Sequence, residues 1–374
     1  MDNILLSTAL AFIITFFSIP VIIQVAKEKK LFDEPDERKV HKTVIPTLGG
    51  LGIFGGFILA CLLCTPPSLN GQLQFFAGAC VVIFFLGLKD DILIISATKK
   101  FIGQLIAAGI IIKFGGIHIN NMGGFLGIED IPSFAGTILT IFTIIVVTNS
   151  FNLIDGVDGL AGSLGFLTTM VFGTYFYLIG ELAFSVMAFA LAGSLLSFLI
   201  YNFSPAKIFM GDTGSLLLGL INSILVIKFI NVAGNTTTAI SLDAAPALGF
   251  SILIIPLLDT LRVFGLRILD RRSPFSPDRN HIHHFLLDLG WNHKQITLGC
   301  VFSNIVFIAM AYLLRSLGTT VVVGILVLTA SSLISFIYYL RSKSKQTFVQ
   351  HKNQEPIIKR HKILSLVPES VEAE

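Results

Sequence analysis

Charge is what this 374-residue sequence has least of. Asp, Glu, Lys and Arg make up 13% of it, about half the share found in soluble proteins. Hydrophobic residues make up 53%, and the mean hydropathy is +0.82. A soluble core of this length has no use for so much apolar surface, whereas a helix bundle solvated by lipid does. Cysteine is scarce too: Cys61, Cys64, Cys80 and Cys300 all lie in apolar runs. Cys61 and Cys64 have CxxC spacing, but their neighbours are Leu, Ile and Ala. A thiolate metal site needs polar, closed coordination, so ordinary membrane-helix packing is the reading. No long internal repeat is visible. No small-residue cleavage pattern follows the first apolar stretch, Ile4 to about Val25, which therefore reads as a transmembrane helix and not a cleaved signal.

What is present is a succession of apolar windows near 4–26, 44–64, 73–89, 98–115, 134–150, 160–179, 182–201, 212–230, 244–268, 295–314 and 318–340. They predict an all-α, polytopic integral membrane bundle of about eleven helices. An odd number places the termini on opposite sides. With the N-terminus outside, 23 of the 26 Lys and Arg fall on one side, and only Lys113, Lys228 and Arg315 remain for the other. That asymmetry makes the basic side, with the C-terminus, cytoplasmic. Segment 116–132 reads as a short external turn or hairpin. Residues 1–340 form one membrane domain, and 341–374 read as a basic, polar cytoplasmic tail.

Polar residues in so apolar a chain are expensive, so their clustering is informative. Asp90 and Asp91 are adjacent carboxylates, which repel unless they share a proton or a divalent cation, or simply end a helix in solvent. Asn149, Asn152, Asp155 and Asp158 lie in TNSFNLIDGVDGLAG; the last three recur every third residue and would share a face on a helical turn. A capping array for the next helix is the competing reading. Asn202 to Gly214 contains FMGDTGS, with Asp212 where a helix begins. Asp212 there could be a plain N-cap or could hold Mg2+ against a phosphate. Phe209 could be interface packing or a stacking surface for a base. The run PDRNHIHH places Arg279 beside His281, His283 and His284. His-x-His-His lacks structural-zinc spacing and has no Cys partner; with Arg279 it suits a pyrophosphate, unless it is an inert surface run. All four clusters, and the basic Arg38–Lys42 loop, fall on the side assigned as cytoplasmic. A transporter would place such groups nearer the bilayer midplane. Acidic groups for Mg2+ and basic groups for phosphates point to phosphoryl transfer onto a lipid.

These motifs resemble, in family order, those of the polyprenyl-phosphate N-acetylhexosamine-1-phosphate transferases. The resemblance covers about residues 1–340 and rests on RKVHKTVIPTLGG (38–50), DD (90–91), NSFNLIDGVDGLAG (149–162), FMGDTGSLLLG (209–219) and PDRNHIHH (277–284). The HIHH form looks more like the GlcNAc-1-phosphate branch, which starts O-antigen and teichoic acid synthesis, than the MurNAc-pentapeptide branch. Many relatives carry a third carboxylate in a DDxxD pattern, but Ile94 stands at that fifth position, so its role is not carried over. The resemblance implies helices around a cytoplasmic cleft at the plasma (inner) membrane, with UDP-GlcNAc and polyprenyl phosphate giving polyprenyl-diphosphate-GlcNAc and UMP. It implies Mg2+, with Mn2+ as a substitute, held by Asp212 and the Asn152 amide oxygen. Asp90 and Asp91 would orient the lipid phosphate, and Asp90 could take its proton; since the second pKa of a phosphate monoester is about 6, much of the acceptor is already dianionic. Asp155, Asp158, Asn202 and Phe209 match nucleotide-site positions; Arg279, His281, His283 and His284 match the diphosphate- or sugar-binding motif. The implied partners are the UDP-sugar, the acceptor lipid and the membrane, with no nucleic acid and with room for a homodimer. Transfer of another UDP-N-acetylhexosamine or of UDP-MurNAc-pentapeptide, or a lipid-linked flippase, are the competing functions.

Overall fold

Lipid offers no hydrogen bonds, so a long apolar run must satisfy its own backbone, and the helix does so within one segment. The computed structural model describes residues 2–29, 32–33, 45–66, 71–93, 95–235, 237–272 and 281–354. In chain order these form α1 (Asp2–Glu28), β1 (Phe32–Asp33), β2 (Ile45–Pro46), α2 (Gly49–Cys64), α3 (Leu73–Leu93), α4 (Ala97–Lys113), β3 (Asn121–Phe125), β4 (Ile128–Asp130), α5 (Ser133–Ile154), α6 (Leu160–Leu178), α7 (Leu182–Asn202) and α8 (Gly211–Ala233). Then follow α9 (Ala245–Ile252), α10 (Ile254–Leu269), α11 (Ile282–Asp288), α12 (His293–Leu314) and α13 (Thr319–Gln354). Among the described residues, six helices are long and apolar enough to cross a membrane, and the α9–α10 pair would make a seventh. The protein is a multi-pass, helical membrane protein.

Helix α8 is the centre of the bundle: 78% of its apolar window is buried, against 22% for α1 and 17% for α13. Small residues bring neighbours onto its backbone, as in other membrane bundles. A Cβ at Gly87 of α3 would come 2.5 Å from Thr213 Cα, and one at Gly50 of α2 would come 2.2 Å from the Gly214 nitrogen. Both contacts lie at the N-terminal end of α8, so glycine seats α2 and α3 against the segment that carries Asp212.

Two expectations need correcting. The window 244–268 is not one helix: it breaks at Leu253, and its halves meet at 83°. Pro256 has no N–H to give the Ile252 carbonyl and its ring clashes there; the Asn304 amide of α12 donates to that carbonyl instead, at 3.0 Å. Asn152, Asp155 and Asp158 do not share a helical face, because α5 ends at Ile154 and the next residues turn. The hairpin expected in 116–132 is present as β3 paired antiparallel with β4. The motif residues of α3, α5, α7 and α8 all lie at one end of the bundle, and this hairpin lies at the other end of α5.

Candidate active site

The first N–H groups of a helix have no partner within it, and Met210, which precedes α8, caps none of them with its side chain. Asp91 does so from the end of α3. Its Oδ1 accepts the Asp212 N–H at 2.7 Å, and its Oδ2 accepts the Thr213 N–H at 3.0 Å and the Thr213 hydroxyl at 2.5 Å. A carboxylate at a helix N-terminus also gains from the helix dipole. Asp91 therefore grips the first turn of α8 and sets where Asp212 points. The IPTLGG segment braces the other side: the Phe209 N–H donates to the Pro46 carbonyl (2.7 Å), and the Gly49 and Gly50 N–H groups donate to the Phe209 and Met210 carbonyls (both 2.9 Å). Gly211 sits between the two braces with φ +70°, where a Cβ would lie 2.2 Å from the Thr47 carbonyl and 2.7 Å from an Asp91 oxygen. Gly211→Ala should therefore displace Asp212. Left-handed backbone alone costs a residue with a Cβ about 1–2 kcal/mol. We expect a lower Tm and at least about tenfold less turnover, and a variant that matches the wild type in both would show the braces to be soft.

Asp212 is half-buried, and its carboxylate meets Asn152, Lys100 and the Asp90 carboxyl. The Asn152 amide donates to its Oδ1 at 2.7 Å and to the Ser215 hydroxyl at 2.9 Å. The Lys100 ammonium, from the first turn of α4, contacts its Oδ2. The same ammonium lies 3.0 Å from Asp90 Oδ2 and 3.3 Å from Asn152 Oδ1. One cation is thus held by oxygens from α3, α5 and α8. The other Asp90 oxygen accepts the Ile95 N–H at 2.7 Å, which closes the turn between α3 and α4. Asn149, by contrast, pairs with Gln104 of α4 at 2.9 Å and belongs to helix packing.

The loop after α5 carries Asp155 and Asp158, and neither caps α6, whose N-cap is Gly159. Burial pushes the Asp155 carboxyl well above the usual carboxylate range, and the charges of Asp212, Asp91 and Asp158 push it further. Burial also acts to raise Asp158, but His293 of α12, 3.1 Å away, and the Ala206 N–H at 3.2 Å outweigh it and hold Asp158 low. Asn202, at the end of α7, clasps two segments: its oxygen accepts the Gly159 N–H at 2.9 Å, and its amide donates to the Ile208 carbonyl at 2.9 Å. Phe209 is half-buried beside that clasp.

The His segment packs onto the same loop. A Cβ at Gly156 would come 2.6 Å from His283 Nε2. His283 is buried, and among the described residues its Nδ1 has no hydrogen-bond partner. Burial first, then the neighbouring imidazole His284, push its pKa down to about 3, so the ring is neutral at pH 7. His281 is also buried, with its Nδ1 2.9 Å from Asp259 Oδ2 of α10. The His283 ring lies 4.3 Å from that of the half-buried His284. Arg279, the Arg38–Lys42 loop and Ile94 lie outside the described residues.

Four functional candidates escaped the motif reading: Lys100, Asp259, Arg262 and His293. Lys100 carries no signal beyond its charge next to Lys99. Asp259 does carry one, since it is a lone carboxylate in an apolar helix. No three His, Cys, Asp or Glu converge on one point among the described residues; the convergence at Lys100 uses two carboxylates and an amide.

Comparison with known proteins bears on what these groups do. Residues 73–230 match the profile of glycosyl transferase family 4, a range that holds Asp90, Asp91, Lys100, Asn152, Asp155, Asp158, Asn202 and Asp212. The chain is 32% identical to a decaprenyl-phosphate N-acetylglucosaminephosphotransferase of Mycobacterium leprae, over 77% of this chain and 78% of the relative. It is 29% identical to a probable undecaprenyl-phosphate N-acetylglucosaminyl 1-phosphate transferase of Bacillus subtilis, over 84% and 87%. An undecaprenyl-phosphate alpha-N-acetylglucosaminyl 1-phosphate transferase of Salmonella typhimurium is 28% identical over 78% and 79%.

Proposed function

Since the chain belongs to glycosyl transferase family 4, the polyprenyl-phosphate N-acetylhexosamine-1-phosphate transferases, we propose that it transfers GlcNAc-1-phosphate from UDP-GlcNAc to a polyprenyl phosphate. It is a phosphotransferase enzyme of the membrane. In the reaction an oxygen of the lipid phosphate attacks the phosphorus that bears the sugar. The bond from that phosphorus to the bridging oxygen breaks, and UMP leaves with the electron pair.

The observation that carries this reading is the Lys100 ammonium held by Asp90, Asp212 and Asn152. Three hard oxygen donors from three helices converge where one cation is stabilised. Such a donor set suits Mg2+, or Mn2+, which is bound through one or two carboxylates together with substrate phosphates. The acidic surroundings support it too: burial is the larger cause of the raised Asp155 carboxyl, but Asp212, Asp91 and Asp158 all add to it. A divalent ion held by Asp212 and the Asn152 oxygen would neutralise charge on the diphosphate. Asp91 keeps Asp212 in place, and Asp90 faces the acceptor phosphate, able to orient it or receive its proton. Lys100 supplies a mobile positive charge to phosphate oxygens. Asp158, Asn202 and Phe209 shape the nucleotide end, and His281 and His284 meet the diphosphate or the sugar. His283, being neutral, can serve only as an uncharged partner.

The test is release of UMP by detergent-purified protein given UDP-GlcNAc, polyprenyl phosphate and Mg2+. A flippase forms no UMP, so its absence with every UDP-sugar of a donor panel overturns the proposal. A different preferred donor in the panel corrects only the sugar.

For orientation, we infer about eleven crossings with this end of the bundle cytoplasmic and the protein in the plasma membrane. The bias of Lys and Arg supports that assignment. Accessibility tags should report Asn120 as external and the C-terminus as cytoplasmic. Both tags on one side would overturn the crossing number and the shared face of the motifs.

A further inference from the structure

Asp259 has no part in the roles above, yet it is among the costliest residues in the bundle. It lies in the second turn of α10 with 2% of its surface exposed. A carboxylate buried so deeply must be met by donors, and three meet it. Oδ2 faces His281 Nδ1 at 2.9 Å; Oδ1 accepts the Ile282 N–H at 2.9 Å and an Arg262 guanidinium N–H at 3.1 Å. One side chain thereby ties the start of α11 to α10, beside the break that Pro256 imposes.

The contact with His281 decides more than position. An ionised carboxylate only accepts hydrogen bonds, so the ring nitrogen facing it carries a proton, and in a neutral ring Nε2 then keeps its lone pair. The His281 ring stacks on that of His283, centroids 5.6 Å apart with 4° between planes, and His283 abuts Gly156 of the carboxylate loop. The imidazoles are therefore layered onto the segment that carries Asp155 and Asp158.

We propose that Asp259 is a positioning residue: it fixes His281 as the Nδ1–H tautomer, so that Nε2 accepts a hydrogen bond from an O–H or N–H group of the donor's sugar. This rests on the reading that the His segment meets the UDP-sugar. Asp259 itself does not touch the substrate. A site that reads a sugar through one acceptor discriminates against donors lacking the matching hydrogen, since its buried lone pair is then left unpaired.

Asp259→Asn is the direct test, because it keeps the shape and can still accept from Ile282. Its amide N–H would face His281 Nδ1 and force the proton to Nε2, turning the acceptor into a donor. We expect kcat/KM for the UDP-sugar to fall about 10- to 100-fold, as when the partner that orients a functional histidine is removed. In a His281→Ala background the same substitution should change kcat/KM less than about twofold, since both act through one ring. Losses that multiply in the double variant, or an Asp259→Asn enzyme within about twofold of wild type, would overturn the proposal. 15N spectra of histidine-labelled wild-type protein read the tautomer directly, even should Asp259→Asn not fold. The signal that vanishes in His281→Ala should be that of an Nδ1–H ring, and an Nε2–H or doubly protonated ring there overturns the proposal. A wild-type protein that releases no UMP from any UDP-sugar would instead sink the transferase reading and leave the tautomer result standing.

Discussion

Asp212→Asn should cut turnover about 100-fold or more while leaving the fold intact. The fold should hold because what anchors this turn is the backbone: Asp91 accepts the N–H of residue 212, and no side-chain atom of Asp212 is involved. The asparagine has nearly the same volume and keeps one oxygen for Asn152 or Lys100. What it loses is the charge that a divalent ion would need, and metal stabilisation of a transferring phosphoryl group is worth several kcal/mol. Chelation of wild-type enzyme with EDTA should abolish UMP release, and Mg2+ or Mn2+ should restore it. Near-normal turnover in correctly inserted Asp212→Asn protein would remove this carboxylate from the metal. Full wild-type activity in EDTA would remove the metal from the reaction.

Much of this arrangement was legible in the sequence, for a reason that lies in the solvent. Lipid forces long apolar runs into helices, so each apolar window falls on a helix, save that Pro256 splits one of them. Lipid also makes polar residues costly, so Asp90, Asp91, Asn152, Asp155, Asp158, Asn202 and Asp212 stood out by kind and clustering alone. What could not be read is which of them meet. The three-residue spacing of Asn152, Asp155 and Asp158 suggested one helical face, but α5 ends first, and Asn152 turns to Asp212 while Asp158 turns to His293. Asp91 looks equivalent to Asp90 in sequence, yet the structure gives its oxygens to the start of α8 and those of Asp90 to Ile95 and Lys100. Lys100 itself lies 112 positions from Asp212. Contact across such a separation depends on how α3, α4 and α8 pack, and no local pattern encodes that.

That long-range contact carries the second large effect. Lys100→Met keeps most of the length and the apolar character of the stem and removes the ammonium with its charge and its N–H donors. Without it Asp90 and Asp212 face one another with no cation between them, and like charges at such a site resist being ionised together. In EDTA the variant should therefore melt below the wild type. Mg2+ should then raise its Tm by more than it raises that of the wild type, because a ligand that binds the folded state more tightly stabilises it more, and no ammonium now competes for the same oxygens. Restored stability should not restore turnover. If Mg2+ takes these oxygens, the wild-type ammonium would be free to reach phosphate oxygens, and deleting one such preorganised charge or donor costs about 100- to 1,000-fold. Lys100→Arg should not rescue, since a planar fork cannot sit among three convergent oxygens as a point charge does. The two readouts separate the roles. An unchanged Mg2+-induced Tm shift would mean that Lys100 and the metal do not share oxygens, and wild-type turnover in Lys100→Met would mean that the ammonium serves the fold alone.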